Sequence, residues 1–268
     1  MTTKAAAFFD LDKTVIAKSS TLAFGRPFYQ GGLINRRSVL RSAYAQFVFL
    51  VAGADADQME RMRAYMTQMC TGWNADQVRA IVEETLHELI DPIVYAEAVS
   101  LIEWHHSEGR DVIIVSTSGA EVVAPIAAML GADHSVATRM TVGEDGCYTG
   151  EIEYYAYGPE KAAAVRALAA EHGYALTSSY AYSDSITDVP MLEAVGHPHA
   201  VNSDKALRAH ASDAQWPILD FRNPVGLRSR LDSLPPGSKP ALAGAAVVGA
   251  AFVGARLYSA RKRRRHAS

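Results

Sequence analysis

Apolar and polar positions follow two different rhythms along the chain. Residues 4–10 (KAAAFFD) form an apolar run ending on an acid, which is typical of a strand buried on both faces in a parallel sheet. Between about residues 20 and 108, apolar positions instead recur at helical spacing, in segments 34–51, 57–70, 75–89 and 94–109. We therefore expect an all-helical region directly after the first strand.

Two helix boundaries in this region carry recognisable signals. Asn74 followed by Gln77 predicts an N-cap with a capping box, and Gly109 predicts a helix stop. Residues 43–53 (AYAQFVFLVAG) are strongly apolar. That helix face could pack in a core or line a cleft, and both readings stay open.

After Gly109 strands and helices alternate, which predicts an α/β fold with a Rossmann-like parallel sheet and helices on both faces. The helical region is then an insertion after the first strand. Two short strands, 140–142 and 147–153, flank the turn residues GEDG as a hairpin. The other predicted strands are 110–116, 134–138, 179–184 and 199–202, and the predicted helices are 120–131, 159–173, 189–196 and 204–211.

Charge separates the end of the chain from the rest. Residues 237–268 contain seven Lys and Arg and no acid; since the whole chain carries −3, the preceding residues carry −10. An acidic body is a poor surface for nucleic acid, so we expect none as a partner.

Cys70 and Cys147 lie far apart without metal-ligand spacing, which suits a reducing compartment and buried thiols. The N-terminal apolar run is too short for a secretory signal, so we expect a cytoplasmic body.

Reactive side chains follow the predicted strands. Asp10 and Asp12 end the first strand, Ser116 ends the second, Asp184 ends a later one, and Lys161 opens a helix. Because ligands bind at the carboxyl ends of parallel strands, these groups can meet at one edge.

Clustered carboxylates need a cation, and oxygen ligands without a His or Cys pattern favour Mg²⁺. With a lysine and a serine beside it, such a metal makes a receptor for a phosphate dianion. A carboxylate facing that phosphate can attack phosphorus. We assign Asp10 as the nucleophile and Asp12 as the general acid and base.

The ordered motifs resemble the haloacid dehalogenase-like phosphatases. They are DxDxT at Asp10, Asp12 and Thr14, then Ser116, then Lys161, then DxxxD at Asp184 and Asp188. The insertion resembles the C1-type cap of subfamily I, and VNSDKALRAHA is similar to subfamily IB, which includes phosphoserine phosphatases. The resemblance implies a catalytic core at 1–17 and 109–222 and a cap at 18–108. Composition indicates a linker plus an apolar and basic tail at 223–268.

The resemblance also implies a role for each matching residue. Asp10 becomes phosphorylated and binds Mg²⁺, Asp12 adds its main-chain carbonyl to the metal, and Asp184 ligates it. Asp188 supports Lys161. The groups implied to hold the phosphate or steady its loop are Thr14, Ser116, Thr117 and Lys161.

One position departs from phosphoserine phosphatases. Counting on from Asp10, Ser19 takes the place of the glutamate that would bind the substrate amine. A hydroxyl cannot replace a carboxylate as partner for an ammonium. We therefore expect weak activity on phosphoserine compared with another, less polar phosphomonoester.

The histidines are weak candidates for metal ligands. His105 and His106 are expected to face solvent near a helix end, and His197 and His199 to lie in a loop without zinc-ligand spacing.

The predicted function is a Mg²⁺-dependent phosphomonoesterase acting on a small molecule. The alternatives are a non-catalytic phosphate-binding protein of the same fold and a phosphotransferase.

The tail is a separate prediction. Residues 241–255 are uncharged and apolar, shorter than the roughly 20 residues that span a bilayer, and RKRRRH follows soon after. We expect residues 241–265 to contact the inner face of the cell membrane rather than to remain free in solution.

Overall fold

The computed structural model describes residues 4–34, 64 and 67–224. A seven-stranded sheet runs through it in the order β4-β3-β2-β1-β5-β6-β7, parallel except for the antiparallel pair of β3 and β4. The predicted α/β class with a mainly parallel sheet is thereby confirmed. The strands are β1 (Ala6–Phe9), β2 (Asp111–Gly119), β3 (His134–Val142), β4 (Tyr148–Tyr154), β5 (Tyr180–Ser183), β6 (His197–Val201) and β7 (Ile218–Leu219).

Helices occupy the connections between strands and the described parts of the insertion. Residues 67–70 are also helical, and Asp91–Ile93, Leu176–Ser178 and Ile186–Asp188 are short 3₁₀ turns. The α-helices are α1 (Ser20–Ala23), α2 (Gly25–Gln30), α3 (Ala75–Leu89), α4 (Ala96–Ser107), α5 (Ala120–Met129), α6 (Pro159–His172), α7 (Val189–Leu192) and α8 (Lys205–Asp213).

The central strand β1 is buried on both faces, as its apolar run predicts. All four of its side chains have no exposed surface. Phe8 joins a core cluster that contains Val165 of α6, Met191 of α7 and Leu207 of α8. Phe9 faces the opposite side, where its ring lies 4.4 Å from that of Tyr182. Apolar contacts on both faces therefore hold the strand that delivers Asp10.

Several local predictions differ from the structure. The segments 134–138 and 140–142 form one strand, β3, because the chain stays extended through Arg139, which faces solvent. The N-cap at Asn74 is confirmed, since its side chain accepts from the Gln77 N–H at 2.9 Å. The reciprocal capping-box bond is not formed, because the Gln77 amide donates to the Gly31 carbonyl instead. Gly109, at φ +71°, follows the end of α4 as predicted.

The histidine predictions also need correction. His105 is fully buried and lies in α4 against the sheet, whereas His106 is exposed. His197 and His199 belong to β6 rather than to a loop. Cys70 and Cys147 are free thiols and are only half-buried.

The insertion is described in part. The predicted helix 34–51, including the apolar segment 43–53, and most of 57–70 lie outside the described residues. The helix α3 packs against α5, whereas α4 packs against β2 of the sheet. The proposed division of the chain at residues 17 and 108 stays a prediction. Within the described part, no helix has the length and apolar character needed to cross a membrane.

Candidate active site

The loop after β1 is shaped by a residue in the left-handed region. The Asp10 N–H donates to the Tyr182 carbonyl at 2.9 Å, which continues the pairing of β1 with β5. Lys13 then adopts φ 63°, and the N–H groups of Val15 and Ile16 both donate to the Leu11 carbonyl. This tight turn keeps Asp10 and Asp12 at the carboxyl edge of the sheet.

Lys161 lies between two carboxylates inside the protein. Its Nζ donates to Asp10 Oδ1 at 2.7 Å and to Asp188 Oδ2 at 2.8 Å, and the lysine is only 2 % exposed. The two carboxylates raise the pKa of Lys161 above its ordinary value despite burial, so its ammonium stays charged. Ser183 also donates to Asp188 Oδ2, at 2.6 Å, which fixes that carboxylate.

Besides the two lysines, the ionisable groups at this edge are carboxyl groups. Burial raises the pKa of Asp10, with Asp188 and Asp184 adding to the effect against the pull of Lys161. Burial likewise raises the pKa of Asp184 to about 6. Lys13 Nζ lies 4.0 Å from Asp184 Oδ2 but is itself largely exposed. The site therefore favours an additional cation beside Asp10 and Asp184.

The donor set fits a hard metal ion with few protein ligands. Within the described ranges, no three carboxylate, imidazole or thiol side chains form a metal cluster by themselves. The predicted ligands are two carboxylates, Asp10 and Asp184, and one main-chain carbonyl, that of Asp12. Mg²⁺ suits such a set, because it keeps several waters and accepts phosphate oxygens.

Asp12 has different hydrogen-bond partners from Asp10. Its Oδ1 accepts from the Ser20 N–H at 2.7 Å, and its Oδ2 accepts from the Ser118 hydroxyl at 3.0 Å. Ser118 is also bonded to the hydroxyl of Ser20 at 2.9 Å and lies 3.2 Å from that of Thr21. A chain of hydroxyls therefore orients the predicted acid and base.

The predicted phosphate-binding residues lie around the same edge. Ser116 is buried in β2, three residues before the strand ends, and its Oγ accepts from the Ser118 N–H at 3.2 Å. The Thr117 hydroxyl donates to the Ala156 carbonyl at 2.8 Å, so that hydrogen is not offered to a phosphate. The Thr14 hydroxyl is fully buried and has no hydrogen-bond partner in the described part of the chain. Their roles toward a phosphate stay predictions.

Sequence reasoning missed the residues that position the predicted ones. Ser118, Ser20 and Ser183 each bond to a site carboxylate or its partner. The signal for Ser118 was present, since it follows Ser116 in the run STSG. Nothing in the local pattern indicates that Ser20 meets Asp12.

A cavity of about 430 Å³ opens beside Asp12. Ser19, Thr117 and Ser118 line it near that carboxylate, and apolar side chains from the insertion and from β3, β4 and α5 line much of the remainder. A group leaving from a phosphate held beside Asp10 would have room here, next to Asp12.

This arrangement agrees with what known proteins show. Residues 7–193 match the haloacid dehalogenase-like hydrolase family. The chain belongs to that family, and the family, fold and enzymatic class predicted from the motifs are thereby confirmed.

Three curated relatives are informative. The inhibition of morphological differentiation protein of Streptomyces azureus is 68% identical, covering 91% of this chain and 88% of the relative. A probable phosphatase of Mycobacterium tuberculosis is 60% identical, covering 91% and 83%. A phosphoserine phosphatase of the same organism is 34% identical, covering 81% and 71%.

Solved structures share the fold. A protein of unknown function from Bordetella pertussis matches with a TM-score of 0.72 at 29% identity, covering 82% of this chain and 99% of that one. A phosphoserine phosphatase in its apo form matches with a TM-score of 0.58 at 18% identity, covering 87% and 100%. At that identity the second likeness shows the fold alone.

Proposed function

We propose that the protein is a Mg²⁺-dependent phosphomonoesterase that works through a phosphorylated Asp10. The observation that supports this most directly is the buried Lys161 ammonium held 2.7 Å from Asp10 and 2.8 Å from Asp188. A charged lysine buried at the carboxyl edge of the sheet, beside a carboxylate, is suited to screening an incoming phosphate dianion. The relative named a probable phosphatase points the same way.

In the first half-reaction an Asp10 oxygen attacks phosphorus and the bond from phosphorus to the leaving oxygen breaks. Asp12 acts as the general acid and gives a proton to the departing alkoxide. Bound Mg²⁺ would be held by Asp10, Asp184 and the Asp12 carbonyl, and would supply positive charge against the phosphoryl oxygens. Ser116 and Lys161 donate hydrogen bonds to those oxygens.

In the second half-reaction Asp12 takes a proton from water, whose oxygen attacks the phosphorus of the aspartyl-phosphate. Inorganic phosphate leaves and the Asp10 carboxylate is restored. Ser20 and Ser118 hold Asp12 throughout by the bonds described above. This second step separates a hydrolase from a phosphotransferase, in which an alcohol takes the place of water. A non-catalytic binder would carry out neither step.

The proposed substrate is a small phosphomonoester less polar than phosphoserine. The cavity beside Asp12 is mostly apolar, and it presents the Ser19 hydroxyl at the position that the resemblance gives to the glutamate of phosphoserine phosphatases. Phosphoserine serves as the reference substrate in the assays, because one relative is named a phosphoserine phosphatase.

A phosphate-release panel tests the proposal. Amino-acid, sugar, nucleotide, aryl and lysolipid phosphates are assayed with Mg²⁺, with EDTA, and with Asp10→Asn as the blank. We expect release that needs Mg²⁺ and falls at least ~10³-fold in the blank, since loss of a nucleophile removes most of the rate enhancement. Release by Asp10→Asn at the wild-type rate contradicts the mechanism. Absence of release from every substrate favours the binding protein, and phosphorylation of an added alcohol favours the phosphotransferase.

We also propose that residues 241–265 contact an anionic membrane surface from the cytoplasmic side. The apolar stretch followed by a basic cluster supports this, because acyl chains take up the first and headgroups attract the second. Cell fractionation of the full chain and of a chain lacking residues 237–268 tests it. A full-length protein found only in the soluble fraction contradicts the proposal.

A further inference from the structure

The cavity beside Asp12 contains a second carboxylate that the reaction does not use. Glu121 lies in the first turn of α5, two residues after Gly119 at the end of β2, and it lines the cavity with Asp12 and Ser118. Its Oε2 is 3.9 Å from the position that a Cβ on Gly119 would occupy, so the carboxylate folds back toward the strand end. It is half-buried rather than fully solvated.

The described walls around Glu121 are largely apolar. Among the described residues that line the cavity there is no Lys, Arg or His, and Asp12 and Glu121 are the acids. The apolar lining includes Leu22, Phe28, Trp73, Val78, Val122 and Ile152. A carboxylate in such surroundings has few partners to offset its desolvation.

Glu121 makes no ion pair in the described part of the chain. Its carboxylate adds to the effect of burial in raising the pKa of both Cys70 and Tyr148, and in the case of Tyr148 it also does so through a side-chain hydrogen bond with the phenol hydroxyl. That neutral donor leaves the charge of Glu121 in place. Arg79 acts on Tyr148 in the opposite sense, but it is exposed and pairs with Asp76 at 2.8 Å. Among the described lining residues no cation offsets this negative charge, so a cationic group that enters the cavity can pair with it.

We infer that Glu121 sets the charge of the leaving group. Resting on the proposed phosphatase activity, the inference is that the protein selects phosphomonoesters whose leaving group joins an apolar body to an ammonium or similar cation. The ammonium donates to Glu121 while the apolar body packs on the cavity walls. Leaving groups that carry a carboxylate or a second phosphate are disfavoured, since like charges repel strongly where water is scarce.

An acid in the first turn of a helix also interacts favourably with the helix dipole. That structural role would affect stability but would not depend on the charge of a substrate. The two roles are therefore separable by comparing substrates in one protein.

Three aryl phosphates of similar size make the comparison. Each has a substituent of two to four non-hydrogen atoms para to the phosphate: an ethyl group, an aminoethyl group or a carboxymethyl group. We expect kcat/KM to be about tenfold higher for the amine than for the ethyl compound, which is the strength of one charge-assisted hydrogen bond. The carboxylate should fall below both. The difference should lie mainly in KM, because Glu121 contacts the substituent and not the reacting phosphorus.

Variants then assign the preference to one side chain. In Glu121→Gln the ratio of amine to ethyl compound should fall close to one, and in Glu121→Lys the carboxylate should become the best of the three. Glu84→Gln, which removes an exposed acid of α3 outside the cavity, serves as the matched control and should keep the wild-type ratio. Circular dichroism and melting temperature verify that each variant is folded.

The outcomes distinguish the two proposals. If wild type with Mg²⁺ hydrolyses none of the three compounds, the proposed phosphatase activity fails. If it hydrolyses all three without preferring the amine, or if Glu121→Gln keeps the wild-type ratio, the inference about Glu121 is overturned while the phosphatase activity stands. The wild-type ratio alone decides the matter should a variant fail to fold.

Discussion

Lys161 shows most clearly how single residues define this site. A lysine that is 2 % exposed would lose its charge in an apolar interior, but here two carboxylates raise its pKa. The desolvation cost is met by two short hydrogen bonds rather than by water. The same contacts leave Asp10 close to an ammonium that can also reach a phosphate.

Removing this ammonium should be costly in the metal-free protein. We expect Lys161→Met to lower the free energy of unfolding by about 3–5 kcal/mol in EDTA, because Asp10 and Asp188 are left buried without their cation. Urea denaturation at pH 7.5 measures it, with Lys205→Met, an exposed lysine of α8, as the control. Mg²⁺ should restore part of the loss. A change below about 1 kcal/mol would show that the buried pairs stabilise little.

The buried His105 is a second case, and here the sequence misled. Arg110 Nε donates to His105 Nδ1 at 2.9 Å, so the ring must carry its proton on Nε2, which lies 2.9 Å from the Tyr182 hydroxyl. Burial lowers the pKa of His105 to about 3, with Arg110 adding to the effect. The ring is therefore neutral at physiological pH.

The sign of the resulting pH dependence follows from this lowered pKa. The unfolded chain gains a proton on this histidine as the pH falls through about 6.5, whereas the folded chain does not until about pH 3, so folding stability is lost on acidification. Between pH 7 and pH 5 we expect wild type to lose about 2 kcal/mol more than His105→Gln. The variant will be less stable at pH 7, since it loses ring contacts. The control is His106→Gln at the exposed neighbour, which should lose as much unfolding free energy as wild type over this pH range. An equal loss in wild type and His105→Gln would contradict the prediction.

Sequence order could predict which charged residues meet, but not which hydroxyls orient them. Asp10, Lys161 and Asp188 were predictable because each follows or precedes a recognisable strand or helix in the family's order. Ser20 and Ser118 lie 98 residues apart, and their bond exists only because the loops after β1 and β2 converge. The prediction that His105 is exposed was wrong for a related reason. A polar residue near a helix end is usually exposed to solvent, and only the packing of α4 on the sheet shows that this one is buried.

At the scale of elements, the hairpin of β3 and β4 ties the catalytic sheet to the insertion. The Tyr148 N–H donates to the Trp73 carbonyl at 2.9 Å, and the Gly72 N–H donates to the Tyr148 carbonyl at 2.8 Å. Trp73 and Tyr148 also line the cavity. Because these backbone hydrogen bonds join the hairpin to the insertion, a shift of the hairpin should change the shape of the cavity.

Gly150 tests this connection. It has φ +92°, and a Cβ there would lie 2.5 Å from Thr71 Oγ1 in the insertion. We expect Gly150→Ala to lower the free energy of unfolding and to raise KM by several-fold, because the hairpin must move away from the cavity wall.

Gly173→Ala is the matched control, since Gly173 has φ +74° and nothing within 4 Å of the added Cβ. It should show the backbone cost alone, about 1–2 kcal/mol, with KM unchanged. Urea denaturation and steady-state kinetics measure both variants. An unchanged KM in Gly150→Ala would show that the hairpin does not position the cavity.

Elements themselves were largely predictable where the hydrophobic pattern was long. The buried runs of β1, β2 and β5 and the periodic segments of α3, α4 and α6 correspond to observed elements. The two-residue β7 was not predictable, because two half-buried residues carry no period. The helices α1 and α2 were missed for the same reason, being four and six residues long.

At the scale of the whole molecule, charge is distributed unevenly along the chain. Residues 237–268 carry seven positive charges and the preceding residues carry −10. The acidic part is repelled by anionic lipid while the basic part is attracted to it. If the tail does contact a membrane, binding should therefore combine a salt-sensitive electrostatic contribution with a salt-insensitive one from the apolar residues 241–255.

This combination makes a distinct prediction for vesicle co-sedimentation. With vesicles of one-third anionic lipid, binding of the full chain should fall severalfold between 50 mM and 500 mM salt, because the Debye length shrinks from roughly 14 Å to roughly 4 Å. Replacing all five basic residues of 261–265 by Gln should remove most of the salt dependence while leaving weak residual binding, since two of the seven basic residues remain. Phosphate release from a water-soluble aryl phosphate should not change in the same variant, since the residues placed at the active site all lie before residue 205. Salt-independent binding by the wild-type chain would show that the basic cluster does not act on the lipid surface.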